Sequence, residues 1–211
     1  MSDEKQLSSF QLDALKEICL ISAANAATAV SKMVKKKVEM GVPEVRLVPI
    51  AGVVAALGSS ETLIVGIYSK IIGDLSGGFL LAFPRESAFA LSDVLLKKKL
   101  GETKLLDDMD TSALKETGNI IAGAFVSALA RMIKRSLLIS VPRLAYDMAG
   151  AIIDFILIEV AEVAEYAVVL EIVFYDVPET VRGKFFILPD PNSLALLLSA
   201  IDMQAGGEEL E

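Results

Sequence analysis

The sequence predicts an α+β fold: a six-stranded antiparallel sheet with an internal pseudo-twofold repeat and two long helices on one of its faces. Three observations carry this expectation. Residues 13–43 (DALKEICLISAANAATAVSKMVKKKVEMGVP) and 112–142 (SALKETGNIIAGAFVSALARMIKRSLLISVP) align at an offset of 99 residues. They share a continuous Ala-Leu-Lys-Glu, and Ile21/Ile120, Ala23/Ala122, Ala29/Ala128, Met33/Met132, Lys35/Lys134 and Pro43/Pro142 also agree. Each half then reads helix, strand, strand, strand, helix, with one extra helix in the second half, and meanders of strands beside helices call for antiparallel pairing. Finally, two separate three-stranded halves would leave exposed sheet edges, so the halves are expected to join. The chain is read as one domain over 1–211, made of repeats at about 8–101 and 108–205.

The elements follow in order. Residues 8–36 form a helix; Ser8 with Gln11 fits a capping box, and Gly41 and Pro43 forbid continuation. Its buried stripe is Leu12, Leu15, Cys19, Ala23, Ala26, Val30 and Met33. Asn25 lies near that stripe and is expected to be a satisfied buried amide. Lys35-Lys36-Lys37 ends the helix, where cations complement its dipole. Residues 38–50 alternate enough for strands, 62–72 are rich in β-branched residues, Gly73-Asp74 marks a turn, and 75–83 form the next strand. An amphipathic helix over 85–100 closes at Gly101, and 102–109 is a polar joint. The second long helix spans about 110–135 with Asp110 or Thr111 as N-cap. Residues 137–144 are extended, 149–163 helical, and 167–175 and 181–188 strands around a hairpin region at 178–183. A helix over 192–203, capped by Asn192 or Ser193, ends the fold; 205–211 should fray. Pro43 and Pro142 are read as ending helix-to-strand connections, without chemistry.

Composition removes whole classes of function. The chain has 211 residues, 54% hydrophobic, enough to bury a large core. The longest uncharged runs, 18–31, 47–60 and 117–130, are 14 residues each. All fall short of the roughly 18–20 residues that cross a bilayer. The acidic start, MSDEKQLSSF, has no apolar signal core, so a cytoplasmic location is expected. One cysteine, Cys19, rules out an internal disulfide and a thiolate metal cage. With no histidine there is no His-based triad, general base or metal ligand, and a net charge of -8 argues against nucleic acid.

What remains is polar chemistry on a helix flank. At about 100° per residue, Asp13, Glu17, Leu20 and Ala24 lie roughly 130° from the buried stripe. Glu116 and Asn119 occupy the matching flank of the second helix, three residues apart and therefore neighbours. An ordinary solvated helix face is the plain alternative. The spacing in both copies speaks against it: Asp13-x3-Glu17-x2-Leu20-x22-Pro43 and Ser112-x3-Glu116-x2-Asn119-x22-Pro142. This doubled pattern resembles the signature of the CheC/CheX/FliY family of CheY-phosphate phosphatases: Asp or Ser, then Glu, Asn and Pro at these intervals. AANAATAVSKMV and NIIAGAFVSALA also look like this family, and the resemblance covers nearly the whole chain. Length and the double motif place it nearest the CheC branch.

The resemblance implies hydrolysis of the aspartyl phosphate on a CheY-type response regulator. By that analogy Asn119 orients the attacking water, Glu116 pairs with the regulator's active-site lysine, and Ser112 gives secondary support. The chain needs no cofactor of its own, and Mg2+ is expected in the partner regulator. Leucine cannot hydrogen-bond a water, so Asp13, Glu17 and Leu20 make a degenerate first site, which Leu20→Asn is expected to restore. The family also implies CheD, a receptor-modifying deamidase, as a partner. Asp147 is the candidate contact for it, against a plain reading as helix cap before Ala149. The alternative functions are a weakly catalytic adaptor for CheD and a flagellar-switch component.

Overall fold

The computed structural model describes residues 8–35, 37–42, 44–159, 165–175 and 181–208. Helix α1 (Ser9–Val34) starts from a complete capping box between Ser8 and Gln11. Helix α4 (Asp108–Ile133) starts from the same device 99 residues later, between Asp107 and Asp110. The N-cap is therefore Asp107, and the expected cap Asp110 is instead the third helical residue. Both helices close on a left-handed lysine, Lys35 (φ 55°) and Lys134 (φ 52°). The first helix thus ends at Val34, which is buried, while Met33 is exposed and drops off the expected stripe. Asn25 is exposed, not a buried amide. Lys36, Pro43 and residues 176–180, which include the first part of the expected hairpin region at 178–183, lie outside the described residues.

The strands are β1 (Glu39–Gly41), β2 (Val45–Pro49), β3 (Leu63–Gly73), β4 (Gly77–Pro84), β5 (Leu137–Ile139), β6 (Arg143–Met148), β7 (Tyr166–Tyr175) and β8 (Val181–Pro189). They form one antiparallel sheet in the order β1-β7-β8-β4-β3-β5, with β2 also on β7 and β6 also on β3. The expected six strands are six positions across the sheet. Among the described residues the count is eight because each edge position holds two short strands. Pro142, which has no N–H to give a ladder, stands in the break between β5 and β6 and not at the end of a helix connection.

The edge strands are exchanged between the halves: β1 and β2 pair with β7, while β5 and β6 pair with β3. The registers correspond as well. Val45 faces Leu170; Leu144, 99 positions after Val45, faces Ile67, which stands 103 positions before Leu170. The hairpins agree in the same way, Ile71 facing Gly77 and Phe174 facing Val181. The halves meet at β4 and β8, around the pair Leu81–Phe185.

Alternate side chains of each strand point to opposite faces. Val65, Ile67 and Ile71 of β3 join the larger core with α1, α4, α3 (Arg85–Leu95) and α6 (Pro191–Glu208). Both long helices therefore lie on one face, as expected. Ile64 and Tyr68 join the smaller core with α5 (Ala149–Glu159) and α2 (Val53–Ala56). The short α2, reached through a 3-10 turn over Ile50–Gly52, had no counterpart in the sequence reading. It stands where α5 stands in the second half, so α5 is not an extra helix. The larger core centres on three rings from β4, α4 and β8: Phe79, Phe125 and Phe185, with centroids 5.1–5.7 Å apart.

Two buried carboxylates fix the joint between the halves. Asp93 accepts the amides of Gly101, Glu102 and Thr103, so the chain turns back and α3 ends at Leu95 instead of residue 100. Asp110, 1% exposed, accepts from Ser92 Oγ at 2.6 Å and Lys98 Nζ at 2.5 Å. In the same manner Asp190, not Asn192 or Ser193, caps α6 by accepting the amide of Ser193 at 2.8 Å.

Burial pushes the Asp110 carboxyl up, but its hydrogen bonds from Lys98, Ser92 and the Asp107 amide outweigh that and hold it down at about 2. A depressed carboxylate stabilises the fold above its unfolded value of 3.8 and loses that contribution as pH falls towards 2. Urea unfolding of the wild type should therefore show stability lost across this window. Asp110→Asn should cost roughly 2 kcal/mol at neutral pH and flatten that part of the acid limb.

Candidate functional site

The flank of α4 is set by what lies on its other side. Leu114, Thr117, Gly118 and Ile121 are buried towards the sheet. Thr117 returns its hydroxyl to the Ala113 carbonyl at 3.0 Å, which satisfies it without a partner from outside the helix. At Gly118 an ideal Cβ would stand 2.6 Å from Ile67 Cγ2, so glycine allows α4 to approach β3 closely. With 117 and 118 facing inward, Glu116 and Asn119 project sideways.

They open onto a groove of about 540 Å³. One wall carries Ser112, Lys115, Glu116 and Asn119; the other is the backbone turn from Ile139 to Pro142. Ser112 and Glu116 are exposed and Asn119 is half-buried. Among the described residues neither Glu116 nor Asn119 has a hydrogen-bond or ion-pair partner, so a carboxylate and an amide stand ready on an open surface. The structure brings together Ser112, Glu116, Asn119 and Pro142. Sequence reasoning missed Asp108, Thr111, Lys115, Ile139, Ser140 and Val141 as lining. The fixed interval from Asn119 to Pro142 held the signal for the second wall, because it ties the helix flank to the break in the edge strand.

The first copy is different. Asp13, Glu17 and Leu20 are exposed on the equivalent flank, with Leu20 56% exposed. Asp13 lies 3.8 Å from Lys16. Glu17 lines another groove, between α1 and α4, with Ile21, Arg131 and Met132. Asp147 is exposed on the edge strand β6 and accepts the amide of Met148 at 2.7 Å. It does not cap α5, whose first amides, from Ala149 and Gly150, go to the carbonyls of Thr62 and Ser60. Burial pushes the Cys19 thiol well above its usual value, which leaves it an inert core group. Among the described residues no cluster of Cys, Asp or Glu is placed to hold a metal ion, and no helix is long and apolar enough to cross a membrane.

Fold and groove together define an α+β domain with a helix-borne Glu-x-x-Asn pair on the wall of an open groove. The chain belongs to the CheC-like family. The model of that family matches it twice, over residues 10–46 and 109–146, once in each copy of the repeat. The chain is 31% identical over 199 residues to the CheY-P phosphatase CheC of Bacillus subtilis, covering 90% of this chain and 93% of that protein. Among solved structures, Thermotoga maritima FliY superposes with a TM-score of 0.75 at 19% identity, covering 93% of this chain and 98% of the other. The Borrelia burgdorferi CheX-CheY-BeF3-Mg2+ complex gives 0.50 at 22% identity, covering 80% and 96%.

The contact at Gly118 makes the site sensitive to a single methyl group. Gly118→Ala must push α4 away from Ile67, and overpacking of this kind costs about 1–3 kcal/mol. A lowered melting temperature is expected, and the cost of Gly118→Ala should shrink in an Ile67→Ala background, where the Cγ2 methyl at that contact is gone.

Proposed function

We propose that this protein is a phosphatase that hydrolyses the aspartyl phosphate of a CheY-type response regulator. The observation that carries the reading is the unpartnered Glu116–Asn119 pair on the α4 groove, in a chain whose relative at 31% identity is named a CheY-P phosphatase. An acyl phosphate needs little covalent help: its hydrolysis requires a water held in line with phosphorus and neutralisation of the departing charge. Asn119 positions the water, since an amide both donates and accepts. Glu116 docks against a lysine of the regulator, and Ser112 supports it. The charge on phosphorus is neutralised by Mg2+ held by the regulator, the ion that accompanies CheY in the Borrelia complex.

Because Leu20 replaces the amide in the first copy, one site does the work. The two repeats, about 8–101 and 108–205, form a single domain, and the protein works in the cytoplasm beside its regulator. We assign a second contact, with CheD, to the exposed edge around Asp147, which pairs with Ile64 and so alternates to the sheet face opposite the long helices.

Decay of the phosphorylated regulator, followed with and without the protein, tests this reading. Asn119→Ala should remove most of the acceleration, on the order of a hundredfold, while unfolding stability stays within about 0.5 kcal/mol of wild type. Glu116→Lys should raise KM by setting like charges against each other. Turnover by Asn119→Ala at the wild-type rate would sink the assignment of the second copy as the working site.

A further inference from the structure

The second wall of the groove is as specific a construction as the first. Ser140 takes both ladder bonds with Lys70, but only one with its backbone. Its amide donates to the Lys70 carbonyl at 3.0 Å, while the Lys70 amide donates to the Ser140 hydroxyl at 2.9 Å. A side-chain oxygen thus stands where a regular antiparallel pair would use a carbonyl. The chain is held to β3 at Ser140 yet free to leave the sheet direction directly after it. Pro142, buried and without an N–H, continues the departure. At the far end Arg143 lies 3.6 Å from Glu159, and Lys70 reaches the same carboxylate at 2.8 Å. The turn 140–142 is thereby fastened on both sides. It presents Val141, an apolar residue 81% exposed, next to the polar flank of α4. Met109, also exposed, stands one helical turn before Ser112 on that flank.

The first copy lacks this construction. Gly41 occupies the position of Ser140, remains in the ladder opposite Val173, and has the Tyr175 ring against it, 2.8 Å from where a Cβ would stand.

We infer that residues 140–142 form a docking ledge for the phosphorylated response regulator, with Val141 as its apolar contact and Ser140 as the positioning residue that holds it out. This rests on the phosphatase reading for the identity of the partner. Its argument is continuity: the ledge is the opposite wall of the groove that holds Glu116 and Asn119. Exposed apolar groups on either side of polar ones are what a protein partner, and not a free small phosphate, would cover. It also changes the expectation for the first copy, because Leu20→Asn by itself restores the amide and leaves the ledge missing.

The test uses the full chain and a regulator in two forms: phosphorylated, for turnover, and capped by beryllium fluoride with Mg2+, for binding. Ser140→Gly, Ser140→Ala and Val141→Ser should each raise KM, and weaken binding of the capped regulator, about fivefold, with much less effect on kcat. Ser140→Thr, which keeps the hydroxyl, should restore both. Hydrogen exchange at the Lys70 amide should speed up in Ser140→Ala and stay unchanged in Val141→Ser, which separates the clamp from the contact. Wild-type KM and binding in Val141→Ser and Ser140→Gly would overturn the ledge. So would failure of Ser140→Thr to rescue, or recovery of turnover by Leu20→Asn in an Asn119→Ala background with Gly41 in place. If wild type binds the capped regulator but hydrolyses nothing, the phosphatase reading falls, while weaker binding by Val141→Ser still upholds the ledge.

Discussion

The pairing of β4 with β8 holds the two halves of this molecule in one sheet. These strands lie at the centre, and their partners on either side, β3 and β7, receive edge strands from the opposite half. Neither half can complete its own sheet. Separating them would open the β4–β8 ladder and strip β1, β2, β5 and β6 from their partners, exposing unpaired backbone groups on both sides of each broken ladder. The rings of Phe79 and Phe185 stack across this central ladder, and Phe125 of α4 closes on both. The helix that carries the site is thus anchored where the halves meet.

A frame built twice can afford to differ where its copies face solvent. Caps, helix ends and strand registers agree between the copies because each satisfies backbone groups that would otherwise be buried without partners. The flanks of α1 and α4 carry no such duty. Leu20 and Asn119 occupy matching exposed or half-exposed positions, and neither is held by the core. Such positions change at little cost in stability, so divergence of the two surfaces follows from the same physics that kept the two frames alike.

This division also explains what could be read from the sequence. The long helices, their shared face and the sideways projection of Glu116 and Asn119 follow from periodicity and local capping, which act over a few residues. Ser8 and Gln11 were legible for that reason. The end of α3 was not, because Asp93 stops it by reaching amides eight to ten residues ahead. Asp110 was mistaken for a cap because its true partners, Ser92 and Lys98, lie on another element and its loop. Pro142 marks the break in the edge strand locally, but the bond that holds Ser140 to Lys70, 70 positions away, leaves no local pattern. Met33 and Val34 are adjacent apolar residues, and only the packing of the last helical turn decides which is buried.

The absence of histidine first reads as a handicap for a hydrolase, yet it fits the chemistry that the groove offers. An amide has no proton to lose near neutral pH, so in the proposed role Asn119 needs none of the burial or charge that tunes a general base. In the proposed role it needs a fixed position, since misplacement of a reacting water by about an ångström can cost roughly a hundredfold in rate. The surroundings supply fixity. Gly118 sets α4 directly against Ile67, Thr117 satisfies itself within the helix, Asp110 ties the first turn to Lys98 and Ser92, and Phe125 locks the next two turns into the aromatic core. Asn119 sits between these anchors, half-buried and without a partner among the described residues. In the proposed reaction the protein contributes rigidity, produced by core packing on one side of α4 and presented as an open surface on the other.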